Sequence, residues 1–583
     1  MSTPTTVYRQ ILVNHCDITS YTDDIFPTFI SYLSVQDQAM AQRVSSAWNK
    51  AFHSEKSVFA RVKNIATCDQ NTTVRLCKHG LGLPKITKKF HEMLDPQHMF
   101  LTLYVNRVLN GFISENYVNV NDFLKTLSEK VRDAIQDLNF LRFLRSGEYL
   151  NHWLPTVFAL FPNIRTLTFG ATLTGGNSLA TISTDNKLKE FNLVNCKNIR
   201  SVALRVFFSK VKNLEVLSLA SSSIQGFVFE NFDSSYLQKL ELRDCRSLEE
   251  EHIRDLLSKT KNLESLNLSH TYIIGGAFEN FNSSHLEELI LENCRHLEEE
   301  RLRDLLSKTK NLELFYLSDS TIQGVAFEAF DPAHLKILRL DGCTRLESRY
   351  IRNLLSKSQR LEDLSLMDAP IQGNAFEGFD PAHLKILRLD GCTRLEEACV
   401  RNLLHRAKNL EMLNLAITSI EGTAFEAFDP LHLQTLILRE CTDLDAKNIN
   451  ELLSKTKELK ELDLTGVFFD GVSFEKFDAS CLQELSLGEL ESIKHDHFLH
   501  CLNPINLKRF DAIDTQDIDE EILQIFLSKA KSIEFIDLSN TPITGKVFEG
   551  INLPNLRNLN VHSCENLNRE YLRELPTTTR ITF

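Results

Sequence analysis

The residues best suited to chemistry are three histidines and a cysteine in the stretch Lys494-His-Asp-His-Phe-Leu-His-Cys501. Histidine nitrogen and cysteine sulfur are preferred ligands of Zn²⁺, so the chemistry would be metal binding by His495, His497, His500 and Cys501. On a helix, His497 and Cys501 would share one face. The segment nevertheless lies where other parts of the chain predict a helix against an apolar interior, and Cys501 would pack inward. The sequence therefore predicts no metal site and no cofactor.

Motifs with a known catalytic mechanism are also missing. The sequence has no Gly-x-x-x-x-Gly-Lys-Ser/Thr phosphate loop, no Gly-x-Ser-x-Gly and no His-Glu-x-x-His. Aspartate and glutamate recur throughout, but they recur regularly, as charges on a solvated surface do. We therefore predict no catalytic residues and do not expect an enzyme.

The regularity comes from internal repeats. Residues 330–347 read FDPAHLKILRLDGCTRLE, and residues 379–396 read the same, 49 positions later. The spacing Leu-x-x-Leu-x-Leu recurs in steps that alternate between 23 and 26 residues. It begins at Leu214, Leu237, Leu263, Leu286, Leu312, Leu335, Leu361, Leu384, Leu410, Leu433, Leu459 and Leu482, with looser copies at Ile164, Leu188, Leu507, Ile533 and Leu556. Each copy predicts a short strand with its leucines facing inward.

These 17 copies predict an α/β fold, a leucine-rich-repeat solenoid over residues 161–583. Alternate copies end in cysteine and continue into an apolar helical pattern, such as Leu302, Leu305 and Leu306. The other copies lead into a turn and a pair of phenylalanines, which we expect to stack as a buried spine. The paired residues are Phe278/Phe281, Phe327/Phe330, Phe376/Phe379, Phe425/Phe428 and Phe474/Phe477.

Bulk composition limits which partners and which cellular compartment we expect. A net charge of −13 argues against nucleic acid, which favours basic surfaces. There is no apolar run long enough to span a membrane, and the N-terminus lacks the pattern of a secretory signal. Seven of the 13 cysteines share one repeat position. We therefore predict reduced core cysteines and a cytoplasmic protein, with the nucleus as a second compartment.

Residues 17–60 do not fit the repeat. Ile25, Phe29, Ile30 and Leu33 form one apolar face at helical spacing, with Asp24 as a candidate N-cap. The stretch from Ser34 to Asp37 breaks the pattern. A second amphipathic helix is then marked by Ala39, Met40, Val44, Ala47 and Trp48.

This order of helix, ISYLSVQD, helix and Val-x-x-x-Trp resembles the F-box, a three-helix module that docks on the Skp-type adaptor of cullin–RING ubiquitin ligases. Two departures bear on affinity: Tyr21-Thr22 replaces the usual Leu-Pro, and Gln38 replaces a leucine. The resemblance implies adaptor contacts by Ile25, Phe29, Ile30, Leu33, Asp37, Met40, Val44 and Trp48.

The repeats in turn resemble the cysteine-containing class found in F-box proteins. Together the two resemblances imply the substrate-recognition subunit of an SCF-type ubiquitin ligase. The alternative is a leucine-rich-repeat binding scaffold without a ligase, whose N-terminal helices only cap the solenoid. Near-identical repeats occur in eukaryotic F-box families and in effectors of intracellular bacteria, so the cytosol is either the protein's own or a host's.

Residues 61–160 lie between the two parts. Phe123, Leu124, Leu127, Val131, Ile135 and Leu138 are spaced as on a helix. We interpret the stretch as a helical linker, or as irregular first repeats.

The register also identifies the outward residues of the strands, which we expect on a concave face that binds a protein substrate. Middle copies combine aliphatic side chains with tyrosine and arginine, the residue types enriched at binding hot spots. We centre the footprint on Tyr316, Arg339 and Arg388. The full predicted set is Ile290, Leu314, Tyr316, Ile337, Arg339, Ile386, Arg388, Met412, Ile437 and Arg439.

Overall fold

The computed structural model describes residues 105, 127–140, 148–171, 175–467, 476–489, 499, 500, 502–516 and 518–583. The chain forms two compact units, Met1–Asn262 and Leu263–Phe583. The F-box-like residues 17–60 lie outside the described residues.

The described part of the first unit contains five strands that pair in parallel, each with the next in the chain. They are β1 (Asp137–Phe140), β2 (Thr166–Phe169), β3 (Glu190–Leu193), β4 (Val216–Ser218) and β5 (Lys239–Glu241). Its helices are α1 (Glu129–Ala134), α2 (Glu148–Leu160), α3 (Ser201–Phe208) and α4 (Glu250–Ser258).

The second unit continues the same pattern with fourteen described strands, again parallel and in chain order. They are β6 (Ser265–Asn267), β7 (Glu288–Ile290), β8 (Leu314–Tyr316), β9 (Ile337–Arg339), β10 (Asp363–Ser365), β11 (Ile386–Arg388), β12 (Met412–Asn414), β13 (Thr435–Ile437), β14 (Glu461–Asp463), β15 (Glu484–Ser486), β16 (Arg509–Asp511), β17 (Phe535–Asp537), β18 (Asn558–Asn560) and β19 (Arg580–Thr582). Its described helices are α5 (Glu299–Leu306), α6 (Ser348–Lys357), α7 (Glu397–Arg406), α8 (Ala446–Lys455) and α9 (Glu520–Lys529).

This architecture confirms the leucine-rich-repeat prediction. All 17 copies found in the sequence contain a strand, β2 to β18. In register, Leu338, Leu364 and Leu387 lie opposite one another on successive strands, and each is fully buried. Burying one such leucine contributes about 1.5–3 kcal/mol, so the inward row is the main source of stability.

Two strands, β1 and β19, were not predicted from the sequence. β1 lies inside the stretch 61–160 and pairs with β2. The helical interpretation of Leu138 is wrong, because the helix α1 ends at Ala134 and Leu138 is buried in β1. The alternation of exposed and buried residues in Asp-Leu-Asn-Phe is that of a strand. Phe123 and Leu124 lie outside the described residues.

From β3 to β13 the elements opposite the strands alternate as the sequence predicted. Copies with cysteine in this range continue into an α-helix, and their leucines face inward, as Leu302, Leu305 and Leu306 do in α5. The copies between them continue into a short 3₁₀ turn, such as Val325–Ala329. Near the C-terminus the rule changes: the copy with Cys564 continues into a 3₁₀ helix, and the copy of β16, without a cysteine, continues into α9. Gly324 precedes that turn with φ = 106°, and a Cβ there would lie 2.9 Å from Cβ of Tyr350 in α6. Glycine is therefore required at this close approach.

The phenylalanine pairs are buried, but the expected stacked spine is not what the described residues form. Phe327 and Phe330 contact Phe315 of the preceding strand edge to face, with ring centroids 6.2 and 6.1 Å apart. Phe474 lies outside the described residues. Successive pairs are separated by an α-helical copy, and among the described residues no ring contact joins one pair to the next.

The cysteines at the shared position fill the interior and also donate hydrogen bonds. Cys392 Sγ donates to the Leu366 carbonyl at 3.0 Å, and Cys441 Sγ donates to Leu415 at the same distance. Each thiol therefore satisfies a carbonyl at the end of the preceding strand, which an aliphatic side chain could not do. Burial raises the pKa of the Cys392 thiol to about 12. The cysteines of the described residues are free thiols.

Candidate protein-binding face of the second unit

The outward side chains of strands β7 to β13 form one continuous surface, which we call the strand face. Parallel register places Ile290, Tyr316, Arg339, Ser365 and Arg388 side by side in one row. The adjacent row carries Leu314, Ile337, Asp363, Ile386 and Met412. The predicted residues of both rows are half-buried between their neighbours, as is Ile437 in β13, whereas Arg439 is exposed.

Asp363 connects the two central arginines. Arg339 Nη2 donates to Asp363 Oδ2 at 3.1 Å, and Arg388 Nη1 donates to Asp363 Oδ1 at 2.8 Å. Asp363 is only 7% exposed. Its strand, β10, lies between β9 and β11, so a single buried carboxylate holds both guanidinium groups. We call these three residues the arginine fork.

Tyr316 extends the fork along its row. The guanidinium carbon of Arg339 lies 4.8 Å from the centre of the Tyr316 ring, a cation–π contact. Burial raises the pKa of the Tyr316 hydroxyl and outweighs the opposing charge of Arg339. Burial also acts to lower the pKa of Arg339, but the interaction with Asp363 outweighs it. Tyr316 is therefore neutral and Arg339 is charged at physiological pH.

Sequence reasoning missed Asp363 because it considered each outward position by its own residue type. The signal was available in the register. Asp363 is at an outward position, with Arg339 on the strand before it and Arg388 on the strand after it. Side chains so placed on neighbouring strands are within reach of one another.

The strand ends beyond the fork are acidic. Asp341 accepts hydrogen bonds from Ser365 Oγ at 2.5 Å and Met367 N at 3.0 Å. Asp390 occupies the same place in the identical copy, but its Oδ1 is buried without a hydrogen-bond partner. Burial, and then the charges of Asp368 and Asp341, raise the pKa of Asp390.

Arg439 does not join the fork. Its guanidinium pairs with Glu440 Oε1 at 3.1 Å and with Glu489 Oε1 at 2.9 Å. The structure thus brings Tyr316, Arg339 and Arg388 together and places Arg439 in a separate ion-pair cluster.

The predicted adaptor contacts Ile25, Phe29, Ile30, Leu33, Asp37, Met40, Val44 and Trp48 lie outside the described residues, as do His495, His497 and Cys501. Within the described ranges, no three metal-ligating side chains come together. None of the helices described there combines the length and apolar character that a membrane crossing needs.

No protein-family model and no curated protein matches the chain. The solved structures that are similar to it include the following three. The yeast Rad7 and Elc1 complex is 18% identical, with a TM-score of 0.41, over 60% of this chain and 95% of that chain. The TLR13–ssRNA13 complex is 16% identical, with a TM-score of 0.39, over 78% of this chain and 76% of that chain. The mouse RP105/MD-1 complex is 17% identical, with a TM-score of 0.45, over 78% of this chain and 81% of that chain. Likeness at this level assigns no partner or activity to the chain.

Proposed function

We propose that the chain is the substrate-recognition subunit of an SCF-type ubiquitin ligase acting in the cytosol or nucleus. Residues 17–60 hold a Skp-type adaptor and, through it, a cullin–RING complex. The strand face holds the protein that is to be ubiquitinated.

One observation carries this proposal: an F-box-like stretch precedes cysteine-containing repeats in a single chain. A leucine-rich-repeat sheet is a scaffold for binding, and function must be argued from its exposed residues. Tyr316, Arg339 and Arg388 offer the residue types that dominate protein interfaces, half-buried among aliphatic side chains.

The chain itself contributes no catalysis in this proposal. The RING protein and the conjugating enzyme perform ubiquitin transfer. The chain holds the substrate beside them, which raises the effective concentration of its lysines at the reacting thioester.

The test is a pull-down of purified adaptor–cullin complex with the full chain and with a chain that lacks residues 1–60. We expect capture by the full chain only, while circular dichroism shows that the shortened chain keeps its repeats. If neither chain captures the complex, the protein is a repeat scaffold without a ligase. If both capture it, the adaptor site lies outside residues 1–60 and the F-box assignment fails.

A further inference from the structure

The arginine fork carries an excess of positive charge. Two guanidinium groups share the single carboxylate of Asp363. Asp341 and Asp390 act on these arginines from the strand ends but form no ion pair with them, so the fork holds one more guanidinium than directly paired carboxylates. The Arg339 and Arg388 side chains are 33% and 21% exposed, and that of Asp363 is 10% exposed. Arg339 Nε is buried and has no hydrogen-bond partner. The fork is therefore a cationic centre whose hydrogen-bonding capacity is not used up.

This centre lies among aliphatic side chains. Ile337 and Ile386 flank Asp363 in register, and Leu314 and Met412 follow on the next strands. A partner that covers these residues removes water from the guanidinium groups as well. Without an anion of its own, the partner would bury guanidinium N–H groups that no acceptor contacts, which disfavours binding. A carboxylate on the partner would instead form charge-assisted hydrogen bonds.

The strand ends limit where that carboxylate can lie. Asp341 and Asp390 are acidic, and Asp390 already has a raised pKa because it is buried and lies near Asp368 and Asp341. A second acidic group on the partner would be repelled there. The complementary ligand therefore has one acid over the fork and neutral or basic residues toward the strand ends.

We propose that the strand face recognises an apolar peptide segment that carries one aspartate or glutamate, with its carboxylate over Arg339 and Arg388. The inference rests on the proposed function, since it defines the substrate class for the same face. Asp363 is a positioning residue: it sets both arginines at a spacing that one carboxylate can bridge, and it prevents them from turning away into solvent.

The exact duplication of residues 330–347 explains why the proposed site has two equivalent arginines. It supplies Arg339 and Arg388 as matched copies two strands apart, about 9.6 Å at the usual strand spacing. Both side chains turn toward the intervening strand, which is not part of the duplicated segment. One site is thereby built from two copies.

A selection from random peptides tests the inference, and it does not require an identified substrate. The full-length protein is immobilised, and phage displaying random peptides of about 12 residues are selected on it at physiological ionic strength. Selected sequences are synthesised, and their affinities are measured by fluorescence anisotropy. We expect aliphatic or aromatic residues around one acid. Changing that acid to its amide should weaken binding about tenfold.

Protein variants then locate the acid. Arg388→Gln leaves Asp363 paired with Arg339 and should weaken binding about tenfold, as the peptide amide does. Combined with the amide peptide it should have little further effect, because the two changes remove one interaction. The control is Lys385→Gln, which removes the same charge from the residue just before β11. Lys385 pairs with Glu362 at 2.7 Å, away from the fork, and this variant should bind normally.

Several results would overturn the inference. These are a selection that yields no binders, one that yields basic peptides, an amide peptide that binds as well as its parent, and equal losses in the two protein variants. Adaptor capture is measured separately. Acid-dependent peptide binding without adaptor capture would refute the ligase function and leave this inference standing; adaptor capture without acid dependence would do the reverse.

Discussion

At the scale of single residues, Ile417 departs most from the pattern of its repeats. Each strand from β3 to β18 is followed by a residue with positive φ, and the others are glycine or the polar residues Asn, Asp, Ser, His and Glu. Ile417 has φ = 54° and is 47% exposed. A β-branched side chain is strained in this conformation, and burial contributes little to offset the strain.

Replacing Ile417 with asparagine should therefore stabilise the fold. We expect Ile417→Asn to raise the free energy of unfolding by about 1 kcal/mol, since asparagine tolerates the left-handed region. Urea denaturation followed by circular dichroism measures the change. Ser419→Asn is the control, because Ser419 is exposed nearby but lacks a positive φ. If Ile417→Asn has a lower denaturation midpoint than the unaltered protein, the isoleucine side chain stabilises the fold by more than its backbone strain destabilises it.

Asp363 makes the fork matter for stability as well as for binding. From outward positions alone, alanine at Tyr316, Arg339 and Arg388 is expected to leave the fold intact. The structure corrects that expectation, because the two arginines are hydrogen-bonded to a carboxylate that is 7% exposed.

We therefore predict that Arg339→Ala with Arg388→Ala destabilises the protein by about 1–3 kcal/mol, since Asp363 is left buried and unpaired. Adding Asp363→Asn should recover part of this loss, because the buried charge is removed. Denaturation midpoints of the double and triple variants make the comparison. If the triple variant is less stable than the double, the unpaired carboxylate is not the cause.

At the scale of the repeat, the cysteines tie each strand end to the next copy. Burial raises the pKa of Cys245 and Cys392 from 9.0 to about 12, and that of Cys294 to about 11. In the unfolded chain these thiols ionise near their ordinary value. Between pH 9 and 12 the folded protein therefore binds more protons than the unfolded chain, and stability must fall as the pH rises.

The expected loss is about 1.4 kcal/mol per pH unit for each such cysteine, and stability is unaffected by these thiols below pH about 9. Urea midpoints measured at rising pH test this. Cys392→Ala should reduce the slope by one thiol's share, even though it lowers the starting stability. A slope unchanged by Cys392→Ala would mean that this thiol does not titrate differently in the two states.

The repeat is also the scale at which the sequence was most informative. Leucine spacing is set by the strand, and every copy identified from it contains one. β1 was missed although Ile135-Gln-Asp-Leu-Asn-Phe140 has the same form as the copy at Ile164, because Ile135 and Leu138 were interpreted as part of a helix. β19 was missed because Arg580–Thr582 contains no leucine. Asp341 and Asp390 lie in identical sequence yet differ in hydrogen bonding. Ser365, on the strand after Asp341, donates a hydrogen bond to it, whereas the strand after Asp390 has Asn414 at the equivalent position and Asp390 Oδ1 has no partner. Such differences depend on neighbouring copies, which a residue-by-residue interpretation does not include.

At the scale of the whole molecule, the proposed function joins an adaptor-binding segment to a substrate-binding face. The repeat fold was predictable because it follows from periodicity. The chemistry of the face was predictable only in part: register located Tyr316, Arg339 and Arg388, but not Asp363, which organises them. The adaptor segment rests on the resemblance of residues 17–60, so the ligase function is the claim that most needs direct measurement.

The most direct measurement is the affinity of the purified full-length protein for a purified Skp-type adaptor, determined by isothermal titration calorimetry. We predict saturable binding that Leu33→Asp abolishes, since a charge would enter an apolar contact. Leu431→Asp is the matched control, the same exchange at a leucine that is 41% exposed, and it should bind normally. No binding by the unaltered protein, or equal binding by Leu33→Asp and Leu431→Asp, would contradict the proposed ligase function.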